Sequence, residues 1–247
     1  MELNEILEIS ISIGLNLMKY GADVHRVEDT VSRICRAYGV KNVYAFAIRS
    51  NLTVTLTDAL GNSTTEMRDM RSITYNLDRV ERLNALSREI CSLTPPYDEV
   101  MKKIGEIECC RIYPKYLAAL SYAVIALGFS MFFGGGMKEG IAAFIIGIAA
   151  GCSDMLLDKI GSGRFFRIIL TSALITYVSY FFGNIAAFEP RVVIIGVLMS
   201  FVPGISLTNS LRDFLANDYI SGIITLIEAI LTAGTIAIGV AVAMKIL

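Results

Sequence analysis

Leu3, Ile6, Ile13, Leu17 and Tyr20 recur at a spacing that suits one face of an amphipathic helix, and Gly21 offers a cheap left-handed stop. Val24, Val27, Val31, Ile34 and Tyr38 repeat the pattern at alternating three- and four-residue steps until Gly39. The period then changes to two. Leu52, Val54 and Leu56 alternate with Thr53, Thr55 and Thr57, which predicts a half-buried strand. Residues 42 to 48 are expected to pair beside it, and D-A-L-G-N is a turn signal that returns residues 63 to 68 as a third strand. Helical spacing resumes at Ile73, Leu77, Val80, Ser87 and Ile90, and Pro95-Pro96 opens a last helix with Tyr97, Val100, Ile104 and Ile107 inward. Residues 1 to 112 therefore read as a small α+β domain of order ααβββαα.

From about residue 113 the pattern is different. Five apolar stretches, about 116 to 134, 140 to 157, 167 to 187, 191 to 208 and 219 to 244, each approach the roughly 20 residues that a helix needs to cross a bilayer. The fold class expected is an α-helical integral membrane protein with five transmembrane helices behind a cytosolic domain, the membrane domain being residues 113 to 247. Lys102, Lys103, Arg111 and Lys115 precede the first stretch, Lys159, Arg164 and Arg167 lie between the second and third, and Arg212 between the fourth and fifth. The opposite side has Lys138, Arg191 and Lys245. This bias puts the N-terminus in the cytoplasm and the C-terminus outside a multi-pass cell membrane.

Composition sharpens the same picture. Of 247 residues, 54% are hydrophobic, and the mean hydropathy is +0.59, too apolar for one ordinary soluble domain. A formal net charge of −1 and a single histidine, without a basic stripe alternating with aromatics, leave no reason to expect a nucleic-acid partner. Five cysteines without a C-x-x-C pair are expected to be reduced thiols rather than a disulfide framework or zinc site. Glu2, Glu5 and Glu8 interrupt the N-terminal apolar residues, so no signal peptide is expected. No cofactor is expected either: G-x-S-x-G, Walker and H-E-x-x-H motifs are absent, and His25 sits among charges as an exposed or capping residue.

Candidate chemistry lies in the apolar stretches. Glu228 lies well inside the fifth, where an ionised carboxylate is costly, and helical spacing aligns it with Thr225, Thr232 and Thr235. It is a candidate proton carrier, a structural interhelical bond being the alternative. Asp154 shares a face with Gly147 and Gly151 and points into the bundle, while Asp158, beside Lys159, reads as interfacial. In V-P-G-I-S-L-T-N-S-L-R-D, Pro203 and Gly204 predict a break or kink that presents Ser206, Thr208 and Asn209 to a solute, unless it is a simple capped kink. Small-residue rows, Ala143, Gly147 and Gly151 in the second stretch and Ser221, Thr225, Ala229, Ala233, Ala237 and Ala241 in the fifth, predict close helix packing.

G-A-D-V-H-R-V-E-D-T at 21 to 30, a strand-rich segment, and P-G-I-S-L-T-N-S-L-R-D about 180 residues later resemble the threonine/serine exporter family, in its first-subunit, YjjP-like type. The resemblance implies secondary export driven by proton-motive force, of threonine and serine or, in some YjjP-like pairs, of a dicarboxylate such as succinate. It also implies a second, smaller membrane subunit, fused behind the first part or separate, and so a hetero-oligomer. No nucleophile–base pair is present to support the hydrolase likeness sometimes drawn for the family's N-terminal domain. A regulatory or gating role is expected of that domain instead. The rival readings are a passive channel and a membrane-anchored sensor or enzyme whose chemistry lies in residues 1 to 112.

Overall fold

The computed structural model describes every residue except 59–60, 71–73 and 111–112, together with the side chain of Lys115. Ile73, the middle of the D-A-L-G-N turn, Arg111, and the expected domain boundary at 112 lie outside the described residues. The chain divides into two compact units: Met1–Arg111 with Arg212–Ile224, and Ile112–Leu211 with Thr225–Leu247.

The first unit contains α1 (Leu3–Lys19), α2 (Val24–Ala37), β1 (Asn42–Ile48), β2 (Asn51–Thr57), β3 (Ser63–Asp69), α3 (Leu77–Leu93) and α4 (Tyr97–Cys109). The strands form an antiparallel sheet of order β1-β2-β3, with Val54 opposite Ala45 and Glu66. Its central strand behaves as its period-2 pattern requires. Leu52, Val54 and Leu56 are fully buried, whereas the intervening threonines make side-chain hydrogen bonds such as Thr55 to Thr65 at 2.9 Å. α1 differs from its one-faced expectation, because Ile9, Ser10 and Ile11 are buried as well. It is the central helix, in contact with α2, β2, α3 and α4, and a helix covered on most sides is apolar on most sides. Gly21 ends it at φ +90°, and a Cβ there would lie 2.4 Å from the Tyr75 ring, so only glycine suits both the conformation and the space. Arg79 then ties the helices together. Its guanidinium lies 4.8 Å from the Tyr20 ring centre and donates to the Tyr20 hydroxyl and the Glu108 carbonyl, both at 2.8 Å.

The second unit is made from α5 (Lys115–Phe132), α6 (Met137–Lys159), α7 (Arg164–Ala186), α8 (Pro190–Leu198), α9 (Gly204–Leu215) and α10 (Tyr219–Ile246), of which α9 ends, and α10 begins, in the first unit. Among the described residues, three helices are long and apolar enough to cross a membrane: α6, α7 and α10. The other two expected spans come out shorter. The first has its apolar part at Tyr116–Phe132, and the fourth is divided into α8 and α9.

Glycine contacts fix the directions of these helices. A Cβ on Gly140 would meet Met131 and Leu127, one on Gly147 would meet Ala123 and Ala126, and one on Gly151 would meet Tyr122, so α6 runs antiparallel to α5. Gly135 lies against Val192, Gly196 against Ser130 and Ala126, and the Phe201 and Tyr122 rings are 5.4 Å apart, so α8 also opposes α5. α7 returns beside α6 after the short turn at 160–163. α10 runs parallel to α7, since Arg164 reaches Glu228 and Ile169 and Ser172 lie against Gly239. Thus α5, α7 and α10 share one direction and α6 and α8 the other.

Candidate functional site

The two units differ in what surrounds their apolar cores. In the first, aliphatic side chains are inside and charges outside. In the second, α7 buries Thr171, Ser172, Thr176 and Ser179 completely while leaving Phe166, Leu170, Leu174, Phe181, Phe182 and Ile185 exposed. α10 likewise buries Thr225, Ala229, Thr232 and Ala243 and exposes Ile223, Ile227, Ile230 and Ile238. The part of α9 in this unit does the same, with Ser206 and Ser210 buried and Ile205 and Leu211 exposed. A face of large apolar side chains around buried hydroxyls is stable only where the surroundings are themselves apolar. The hydroxyls of Ser130, Thr171, Ser172 and Ser179 have no hydrogen-bond partner among the described residues, although Thr176 donates to the Ser172 carbonyl at 2.9 Å. Such groups retain their full capacity to bind a polar solute or water.

The helix breaks over residues 199–203, with Pro203 the last non-helical residue. α8 ends at Leu198 and α9 begins at Gly204, because the Pro203 ring clashes with a helical carbonyl four residues back, at Met199, and restricts Val202. Pro203 is buried and Gly204 exposed. Of the polar residues after them, Ser206 is buried and Asn209 half-buried. Thr208 instead points outward and donates to the Gly204 and Ile205 carbonyls at 3.1 and 3.0 Å. Ser210 and Asp213 complete the inward stripe, and the spacing 206, 210, 213 could have revealed them.

Asp154 and Glu228, far apart in sequence, meet arginines from the same turn of α7. Glu228 accepts from Arg164 at 2.5 Å. Asp154 lies 3.5 Å from Arg167 and accepts from the Tyr122 hydroxyl at 3.3 Å, and Arg167 also pairs with exposed Asp158. Each carboxylate is thus compensated by a guanidinium, as charges near an apolar phase require. Gly147 and Gly151 of α6 are buried against α5, where a Cβ would come within about 3.0 Å of Ala123, Ala126 or Tyr122. Ala229 is buried, but Ala233 lies on the exposed face of α10 with Ala237 and Ala241. Four helical residues turn about 400°, so a strict four-residue row drifts by about 40° at each step and leaves the buried side.

A second charged cluster lies in the first unit. Asp23 caps α2 by accepting from the His25 amide at 3.2 Å, and its other oxygen accepts from Arg212 at 3.1 Å. The two motifs that carry the family resemblance therefore meet. Neighbouring Asp213 is only 8% exposed, and burial, with Asp23 and Asp218 adding to it, pushes its carboxyl up to about 6 against the pull of Arg49 and Arg212. His25 is exposed, 3.8 Å from Glu28. No group of three His, Cys, Asp or Glu among the described residues could hold a metal, and all five cysteines are free thiols.

The profile of the ThrE family, described as "Putative threonine/serine exporter", matches residues 8–247. A Mycobacterium tuberculosis protein named "Probable threonine/serine exporter" is 21% identical over 250 residues, covering 99% of this chain and 47% of the relative, so the chain spans about half its length. "Probable succinate transporter subunit YjjP" of Klebsiella aerogenes is 25% identical over 246 residues, covering 98% of this chain and 94% of the relative. The Escherichia coli K12 protein of the same name is 25% identical over 244 residues, with 98% and 94% covered. No solved structure matches. With the family profile extending over nearly its whole length and apolar helices fit for a bilayer, the chain belongs to the threonine/serine exporter family of membrane transport proteins.

Proposed function

We propose that the chain is a subunit of a secondary, proton-coupled exporter of small polar metabolites, with threonine and serine as the first substrates. The observation that carries this reading is the set of fully buried hydroxyls in the second unit, Thr171, Ser172, Thr176 and Ser179, which sit beside its apolar core under a surface of exposed aromatic and aliphatic side chains. A mere anchor needs no polar interior. A family of exporters supplies the chemistry that such an interior serves.

Five crossings fit the helix directions. α10 runs parallel to α7, which fits a return across the bilayer between them, and α8 followed by the break at 199–203 is the segment available for that return. In this reading residues 1 to 112 are cytosolic, residues 113 to 247 form the membrane domain, and the C-terminus is outside. Asp154 and Glu228, at the α7 arginines, and Pro203 to Asn209, which close the break and open α9, border the solute path in this reading. Broken helices present free backbone dipoles to solutes in transporters.

The dicarboxylate reading rests on the YjjP relatives, whose name specifies succinate. Charge balance favours the zwitterion. Arg164 and Arg167 are already matched by Glu228, Asp154 and Asp158, which leaves no surplus positive charge there for a dianion. The same relatives are named as subunits, and we assign this chain a second, smaller membrane subunit as its partner. The ridge of Ala233, Ala237 and Ala241 permits the close approach of another helix.

Flux from lipid vesicles tests the proposal. The chain with that smaller subunit should drive labelled threonine or serine uphill when a proton gradient is imposed, and the chain alone should be weak or inactive. Gradient-independent, strictly downhill flux would establish a channel, and saturable uphill export by the chain alone would remove the need for a partner.

A further inference from the structure

We propose that the first unit contains a binding site for a small dianion, a dicarboxylate or a phosphorylated metabolite, in the groove between α2 and α3. The groove has a volume of about 330 Å³, within the range of small-molecule sites. One wall is Arg26, Asp29, Thr30 and Arg33, at helix positions i, i+3, i+4 and i+7. The other includes Ser87 and Arg88, one turn beyond Asn84. Each helix thus presents one continuous polar stripe to the groove, while Val27, Val31, Leu83 and Ile90 turn into the core.

The charge is unbalanced. Three arginines face one carboxylate, Asp29, which pairs with Arg33 and is held below the usual carboxylate range by it. Arg26 and Arg88 have no carboxylate partner among the described residues, although Glu89, next to Arg88 in sequence, is engaged with Lys103 at 2.6 Å. Two guanidiniums without counterions, placed on opposite walls, suit a ligand with an anionic group at each end, while the hydroxyls of Thr30 and Ser87 already donate to the Arg26 and Asn84 carbonyls at 2.8 and 2.9 Å. A neutral or zwitterionic solute would leave one of them unmatched. Arg26, Asp29 and Thr30 belong to the G-A-D-V-H-R-V-E-D-T motif; its Asp23 is engaged with Arg212 and its Glu28 with the Ala47 amide and His25, and the groove accounts for Arg26, Asp29 and Thr30. The site lies apart from the α7 carboxylate pairs, where positive charge is already matched, and it does not depend on the export reading.

Cys91, exposed and lining the groove, provides a local reporter. Titration calorimetry on the full-length chain in detergent, with succinate, inorganic phosphate and threonine in separate runs, tests the proposal. At least one dianion should bind saturably and weaken as salt is raised, and that dianion, but not threonine, should slow alkylation of Cys91 while leaving alkylation of exposed Cys109 unchanged. Binding confined to succinate identifies a dicarboxylate site, and binding confined to phosphate a phosphorylated ligand. Arg26→Gln and Arg88→Gln should each weaken binding about tenfold or more, the loss expected of a charge-assisted pair. Arg82→Gln, on α3 but paired with Asp78 outside the groove, should not. No saturable binding of either dianion, equal binding by the Arg26→Gln/Arg88→Gln double variant, or unchanged Cys91 alkylation would overturn the assignment.

Discussion

Replacing Asp213 with asparagine should remove a pH dependence of folding that wild type carries. The Asp213 carboxyl is raised from 3.8 to about 6, chiefly by burial and then by Asp23 and Asp218. Below about pH 4 it is protonated in both folded and unfolded chains. Between about pH 4 and 6 the unfolded chain releases the proton while the folded chain retains it, so stability falls as pH rises, and the penalty is complete above about 6. The shift corresponds to roughly 3 kcal/mol if taken in full. Arg212, well exposed, brings solvent to the cluster, and screening reduces the figure to about 1–2 kcal/mol. Asp213→Asn keeps the shape and abolishes the charge. At pH 7.5 it should raise the melting temperature by about 2–6 °C, with little change at pH 4. Since the chain has no tryptophan, circular dichroism of the detergent-solubilised protein at a series of pH values is the suitable assay. Parallel pH profiles for the two proteins, or a variant less stable at pH 7.5, would refute the reasoning.

Gly239→Leu should sharply lower the yield of monodisperse protein in size-exclusion runs, because a Cβ there would lie 2.4 Å from the Ile169 carbonyl; Gly234→Leu, with nothing near it, should not. Glu228→Gln retains a hydrogen-bond acceptor for Arg164 but cannot titrate, so uphill export should vanish while downhill exchange persists; wild-type coupling would assign Glu228 a structural role. A tag before Met1 should be detected only in permeabilised cells and one after Leu247 in intact cells, and detection of both on one side would remove the five-crossing topology.

Local periodicity made the first unit legible. Leu52, Val54 and Leu56 specify their strand and its buried face, and Val24, Val27, Val31 and Ile34 their helix, because each pattern is decided by neighbours within a turn or a pleat. The apolar stretches of the second unit were equally plain, and Pro203 signalled the interruption of the fourth, whose non-helical residues extend back from the proline because its ring perturbs the turn before it. The inward hydroxyl face of α7 could have been read from Thr171, Ser172, Thr176 and Ser179, yet average hydropathy conceals it beneath Phe181, Phe182 and the leucines. The pairs Arg164–Glu228 and Arg212–Asp23 were beyond local reading: their partners lie 64 and 189 residues apart, and the arginines looked only like topology markers.

The hydroxyl face of α7 is the centre of the account, and efflux from vesicles containing the chain and the smaller subunit tests it most directly. Ser172→Ala and Thr176→Val delete buried hydroxyls at nearly constant volume, whereas Leu174→Ala and Phe181→Leu alter the exposed face of the same helix. Loss of hydrogen bonds to a desolvated solute should lower threonine efflux about tenfold or more for the combined inner variant, while the outer changes leave it within about twofold. Wild-type efflux from the folded Ser172→Ala/Thr176→Val protein would contradict a solute path along that face.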